Sequence, residues 1–193
     1  MASFDRYAQR LLRLEGGYDY DNGNHSNRGI TLATYTAWRK AKGIATTTVA
    51  DIKNITGSEA KSIYKAWYWD VLFASQIKNQ SIAELMVDGK VNGGFSLSSL
   101  QVYLKVTADG KMGPKTIAAI NASNQTKLHA KLLQDRKNHY AYLIKSNPSK
   151  YASKQNGWAN RLKDFVFDGS TGSGVSAGVL VGVAAALFYL NKA

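Results

Sequence analysis

Phe4-Asp5-Arg6-Tyr7-Ala8-Gln9-Arg10-Leu11-Leu12-Arg13-Leu14-Glu15-Gly16-Gly17-Tyr18 carries the pattern from which the rest of the chain can be read. Phe4, Tyr7, Ala8, Leu11 and Leu12 recur at helical spacing, so they form one apolar stripe. Ser3 is a candidate cap for the helix start and Gly16-Gly17 a stop. Glu15 lies four residues after Leu11 and eight after Tyr7, so it continues the stripe, where a charge is unexpected. Partial burial favours the protonated form of a carboxyl, and a carboxyl kept neutral near neutral pH is what a general acid requires. The competing reading is an exposed Glu at a frayed helix end. The chain has two other glutamates. Glu59 has a capping role available in Thr56-Gly57-Ser58-Glu59, and Glu84 sits near a helix start, where a negative charge suits the dipole.

Working outward, helical signals dominate. Asp19 to Gly29 is rich in Asp, Asn and Gly and reads as a loop or short hairpin. Thr31 caps a helix running to about Lys42, closed by Gly43. Further helices are expected over Ala60 to Leu72, Ser81 to Val91, Phe95 to Val106, from Gly113-Pro114 onward, over Gln125 to Lys145, and over Trp158 to Phe167. The pattern predicts a mainly α fold with at most a small β-hairpin near residues 18–31, plus an apolar C-terminal helix.

Composition bounds the function. The chain has 193 residues and no cysteine, which excludes disulfides, thiol nucleophiles and cysteine–zinc sites. A formal charge of +12, from 25 Lys and Arg against 13 Asp and Glu, favours an acidic partner: nucleic acid, an anionic membrane or an acidic cell wall. Met1 to Leu14 carries Asp5, Arg6, Arg10 and Arg13 and is no secretory signal. Residues 169–191 carry no charge. Residues 169–174 read as a flexible linker and residues 175–191 as a transmembrane segment. Sixteen apolar residues at about 1.5 Å each reach ~24 Å, near the ~30 Å hydrocarbon core once linker residues are added. Gly174, Gly178 and Gly182 are spaced by four, which would let two such helices self-associate, or they belong to a monomeric anchor. His25, His129 and His139 are scattered without a carboxylate cluster, so no metal site and no cofactor are expected.

Several motifs then fall in order. Leu14-Glu15-Gly16-Gly17-Tyr18 resembles the Glu-Gly-Gly-Tyr signature of the glycoside hydrolase family 108 lysozymes. Asp21-Asn22-Gly23 followed by Ser26-Asn27-Arg28-Gly29-Ile30-Thr31, the Ile63-Tyr64 and Tyr68-Trp69-Asp70 pairs, and Val87-Asp88-Gly89-Lys90-Val91-Asn92-Gly93-Gly94 resemble successive segments of that family. Leu100-Gln101, Asp109-Gly110-Lys111-Met112-Gly113-Pro114 and Gly157-Trp158-Ala159-Asn160-Arg161 resemble its attached peptidoglycan-binding part. The chain departs from the family pattern at Asn24-His25, at Arg28 and at Gly89-Lys90, around the expected cleft.

The resemblance implies a lysozyme-like catalytic part over 1–94, with a helical peptidoglycan-binding part over 95–168 packed on it. It implies N-acetylmuramidase activity with Glu15 as general acid. Asp21 and Thr31 are candidates for the second catalytic role, with a turn former and a helix cap as their plainer readings. Tyr18, Asn27, Trp69, Asp88 and Asn92 are candidate substrate-binding residues. The aromatics from Tyr64 to Trp69 either stack on sugar or fill the core. Asp88 and Asn92, one helical turn apart, either face the cleft or form a buried pair. The expected partners are peptidoglycan and, through the tail, a membrane; no nucleic acid is expected, since that reading explains the charge but not Glu15-Gly16-Gly17-Tyr18. The expected setting is a bacterial or phage-encoded, membrane-anchored protein acting on the wall. Family members are sometimes labelled secretion activators, and the rival reading is a non-catalytic wall-binding or secretion-associated protein that keeps the fold.

Overall fold

The computed structural model describes residues 1–21 and 23–169. The fold begins with helix α1 (Phe4–Leu14), whose buried face is Tyr7, Ala8 and Leu11. The chain leaves the helix at Glu15, which is extended, with its N–H still bonded to the Leu11 carbonyl. Ser3 flanks the helix, but its side chain makes no cap bond.

The segment expected to hold at most one hairpin forms a three-stranded antiparallel sheet: β1 (Asp19–Asp21), β2 (Asn24–Asn27) and β3 (Ile30–Thr31), in the order β1-β2-β3. Tyr20 opposes His25 across the first pair, and Asn27 opposes Ile30 across the second. The extra strand comes from the Arg28-Gly29 turn, where both residues have positive φ (52° and 72°). Two consecutive left-handed residues match the twist of a tight hairpin. Arg28 is an unusual occupant of such a turn, which hid the strand from sequence reading.

Thr31 caps α2 (Leu32–Ala41), accepting a hydrogen bond from the Thr34 N–H at 3.1 Å. A short α3 (Val49–Lys53) follows, with a capping box between Thr48 and Asp51. Helix α4 (Gly57–Tyr64) starts on the Thr56–Glu59 capping box expected from the sequence. It does not run to Leu72. A five-residue π-helical turn (Lys65–Trp69) and a 3₁₀ turn (Asp70–Leu72) replace its second half. Tyr64 and Trp69 are five residues apart and both must enter the core, where they are 1% and 0% exposed. A π-turn brings residues at that spacing into line.

Helix α5 (Gln80–Asn92) is the axis of the molecule; every residue from Gln80 to Gly89 is buried. Gly89 is required in its interior, since a Cβ there would overlap Phe95 and crowd Arg136. The later helices are α6 (Leu97–Tyr103), α7 (Pro114–Ala122), the long α8 (Gln125–Ser146), which packs along α5, the short α9 (Pro148–Tyr151) and α10 (Gln155–Lys163), which packs on α8. The expected helix from Trp158 to Phe167 is displaced toward the N-terminus, because Phe165 leaves it to enter the core at 2% exposure. The core is continuous from Leu11 and Trp69 through Ile82, Leu85 and Met86 to Leu128 and Leu132. Among the described residues no helix is long and apolar enough to cross a membrane. The segment expected to do so, residues 175–191, and the Gly174, Gly178 and Gly182 spacing lie outside the described residues.

Candidate active site

The site is built where α1 ends, the Arg28-Gly29 turn approaches, and α5 and α10 meet. Glu15 projects its carboxyl from the end of α1 with 14% of its side chain exposed. Its Oε1 accepts a hydrogen bond from the Arg161 guanidinium at 2.7 Å. Its other face lies against Gly29, where a Cβ would overlap both the Glu15 carboxyl and the Tyr64 hydroxyl. Gly29 is therefore fixed twice, by its positive φ and by that close approach. Tyr64, from α4, locks the same turn by donating to the Arg28 carbonyl at 3.0 Å.

Behind Glu15 lies Asp88 of α5, 1% exposed. Arg161 holds it through Nε, at 3.1 and 3.3 Å to the two carboxylate oxygens, and through a terminal nitrogen at 2.6 Å. Arg136 of α8 pairs with Asp88 at 3.0 Å and also bonds the Tyr140 hydroxyl. Two carboxylates and two guanidiniums thus share one largely buried cluster, a compensated arrangement in which removing any one charge strands another. Burial works against the charge on Arg161, but hydrogen bonds and attraction from Asp88 and Glu15 outweigh it and hold the group protonated beyond the ordinary arginine range. Burial, reinforced by Asp88 for Tyr7 and by Glu15 for Tyr64, pushes both phenols up, so both stay neutral. A surface cavity of about 480 Å³ opens beside this cluster, lined by Leu14, Asn92, Trp158, Asn160, Arg161 and Asp164.

The remaining candidates separate clearly. Asn92 joins the cluster, donating to Asp88 at 3.2 Å within α5, and also lines the cavity. Thr31 follows Gly29 by two residues and is exposed as the cap of α2; its hydroxyl also meets that of Thr34 at 2.9 Å. Asp21 ends β1 and pairs with Lys154 at 3.4 Å, both side chains about half exposed. Tyr18 is 40% exposed and shares a 2.6 Å hydrogen bond with His25. Asn27 is 7% exposed, and its amide donates to the Ile52 and Lys53 carbonyls, so it pins β2 to α3. Trp69 needs correcting as a substrate-binding candidate. It is 0% exposed, stacks on Tyr7, meets Phe4 edge-on and donates to Ser75, which leaves no ring face for a sugar. Its Glu84 counterpart among buried charges is structural too, paired with Arg10 and accepting from Gln80.

Sequence reading passed over Arg161 and Arg136. Arg161 closes the Gly157-Trp158-x-x-Arg161 motif, but nothing in a basic chain marks one arginine as the partner of a carboxylate 146 positions away.

A mainly helical fold with a small sheet at its surface, and a carboxyl set between a sheet turn and a buried ion cluster, fits a lysozyme-like fold. The comparisons narrow this. Residues 8–94 match the family model described as glycosyl hydrolase 108, and residues 74–163 match that of the predicted peptidoglycan domain. The chain thus carries a region of the glycosyl hydrolase 108 type, which indicates a glycoside hydrolase acting on peptidoglycan, and a predicted peptidoglycan domain that overlaps it. Among solved structures it is similar to SagA of Brucella abortus, at a TM-score of 0.67 and 27% identity over 84% of this chain and 90% of that one. Comparison with curated proteins gives no match.

Proposed function

We propose that the protein is an N-acetylmuramidase that cleaves the glycan strand of peptidoglycan, with Glu15 as general acid. The observation that carries this reading is the placement of Glu15: a carboxyl at a helix end, mostly enclosed, beside a glycine turn and hydrogen-bonded to Arg161, which lines a surface cavity. In that role Glu15 protonates the leaving sugar oxygen as an oxocarbenium-like centre develops. Asp21 or Thr31 serves the second step, by stabilising charge or by orienting water; both stand on the sheet that turns at Gly29. Wall lysis by Glu15→Gln, followed as turbidity with circular dichroism as the folding control, tests the assignment. The amide cannot donate the proton, so a folded and inert variant is expected; a folded variant with near-normal lysis would refute it. The rival reading, a wall-binding protein without catalysis, predicts retention on pelleted peptidoglycan and no lysis by the unmodified chain.

Among the two candidates for the second role, replacing the working group lowers turnover by roughly 10²-fold or more. Loss of a helix cap alone costs only about 1 kcal/mol of stability. Rates and melting curves of Asp21→Ala and Thr31→Ala separate the two effects. Normal lysis by both would move the second role elsewhere, with Asp88 next in line.

A further inference from the structure

We infer that Arg161, supplied by the peptidoglycan domain, is a positioning residue for Glu15, so that the hydrolase site is complete only when α10 is docked against α1 and α5. The inference rests on the Glu15 assignment above. One terminal nitrogen of Arg161 touches Glu15 Oε1 at 2.7 Å and Asp88 Oδ1 at 2.6 Å, while Nε faces both Asp88 oxygens. Asp88 is 1% exposed and is itself fixed by Arg136. The guanidinium is thus anchored by a buried carboxylate, and the terminal nitrogen that bonds Asp88 also donates to Glu15. A planar fork with fixed donor directions does this; a lysine ammonium is a point charge on a flexible stem and cannot reproduce the geometry.

Residues 8–94 make up the hydrolase match, and Arg161 lies outside them. The same C-terminal segment also reaches the catalytic side through Lys154 to Asp21, through Asp164 to Arg13 at 3.5 Å and through Asp168 to Arg6 at 3.4 Å. Those contacts are exposed and weak, whereas the Arg161 contact is 12% and 14% exposed on its two sides. Arg161 also lines the cavity beside the cluster. The ionisable groups of the Glu15–Asp88 cluster come from several elements: Tyr7 on α1, Tyr64 on α4, Asp88 on α5, Arg136 on α8 and Arg161 on α10. A residue that merely glued α10 to the core would need no donor on the carboxyl assigned to proton transfer.

The test uses the full chain with Arg161→Gln and Arg161→Lys, each assayed for kcat, KM and wall retention, with melting curves as control. Misplacement of a catalytic group by about 1 Å costs up to roughly 10²-fold. A fall of kcat by roughly 10- to 100-fold in Arg161→Gln, at unchanged KM and wall retention, is the expected result. Arg161→Lys, which keeps the charge but not the planar fork, recovers the rate only in part. Should Arg161→Gln fail to fold, Arg161→Lys decides alone: a folded protein with a lowered kcat supports the inference, and full activity overturns it. Folded Arg161→Gln with wild-type kcat overturns it as well. Glu15→Gln in the same series keeps the two readings apart. An inert Glu15→Gln beside a fully active Arg161→Gln sinks only the role of Arg161, while an active Glu15→Gln sinks the catalytic assignment beneath it.

Discussion

At the scale of single residues, the site turns on what Gly29 lacks. Its missing side chain lets the Arg28-Gly29 turn pack against the Glu15 carboxyl and the Tyr64 hydroxyl, and its φ of 72° is one that an L residue adopts at a cost. Gly29→Ala is therefore expected to displace Glu15 or open the turn, lowering lysis by about 10²-fold or more. It should also destabilise the fold by roughly 1–3 kcal/mol. Lysis rates and chemical denaturation check both; an active variant of normal stability would mean that the carboxyl does not depend on the turn. The partial burial of Glu15 was legible because a charge continued an apolar stripe, a local signal, while its catalytic role was drawn from the resemblance. Arg161 was not legible, since its meaning comes from a contact between distant parts of the chain. Trp69 was misread for a related reason. Its neighbours Tyr64, Trp67 and Tyr68 offered several aromatics for one core, and the π-turn that selected Trp69 for burial leaves no mark on simple helical periodicity.

At the scale of elements, most helices were visible from caps and spacing. The Thr56–Glu59 box, the Thr31 cap and Pro114 at a helix start all appear where their chemistry puts them. The strands were less legible, being only two to four residues long, shorter than the alternation needed to declare them. Helix α8 supplies a further test. His129 is 6% exposed, against Phe167 from beyond α10. Burial lowers its pKa below 6.5, against an opposing hydrogen bond with the Phe165 backbone. His139 is lowered as well, by burial and by Arg136. A histidine whose folded pKa is depressed binds protons more readily in the unfolded chain. Its contribution is thus intact above the ordinary histidine range and is lost as pH falls through it toward the folded value. Melting temperature should drop on going from about pH 7.5 to about pH 5, and His129→Leu should flatten that slope. Parallel slopes for the two proteins would show that His129 does not stay neutral in the fold.

At the scale of the whole molecule, the two family matches overlap over residues 74–94, which contain α5. The expected division at residue 94 falls at the end of that helix, yet α5 is buried by partners from both sides and carries Asp88 into the ion cluster. One core thus serves both matched regions. Net charge is the other global property, and composition alone revealed it. With +12 on the chain, attraction to an acidic wall is screened over about 8–10 Å at physiological ionic strength. Lysis should therefore fall steadily as salt is raised, and a rate flat across the series would show that the charge plays no part in substrate capture. The catalytic claim itself is tested most directly by the sugar ends that the protein releases from purified peptidoglycan. The account predicts new reducing ends on N-acetylmuramic acid, formed by the unmodified chain and not by Glu15→Gln. Reducing ends on N-acetylglucosamine, or no new ends at all, would contradict it.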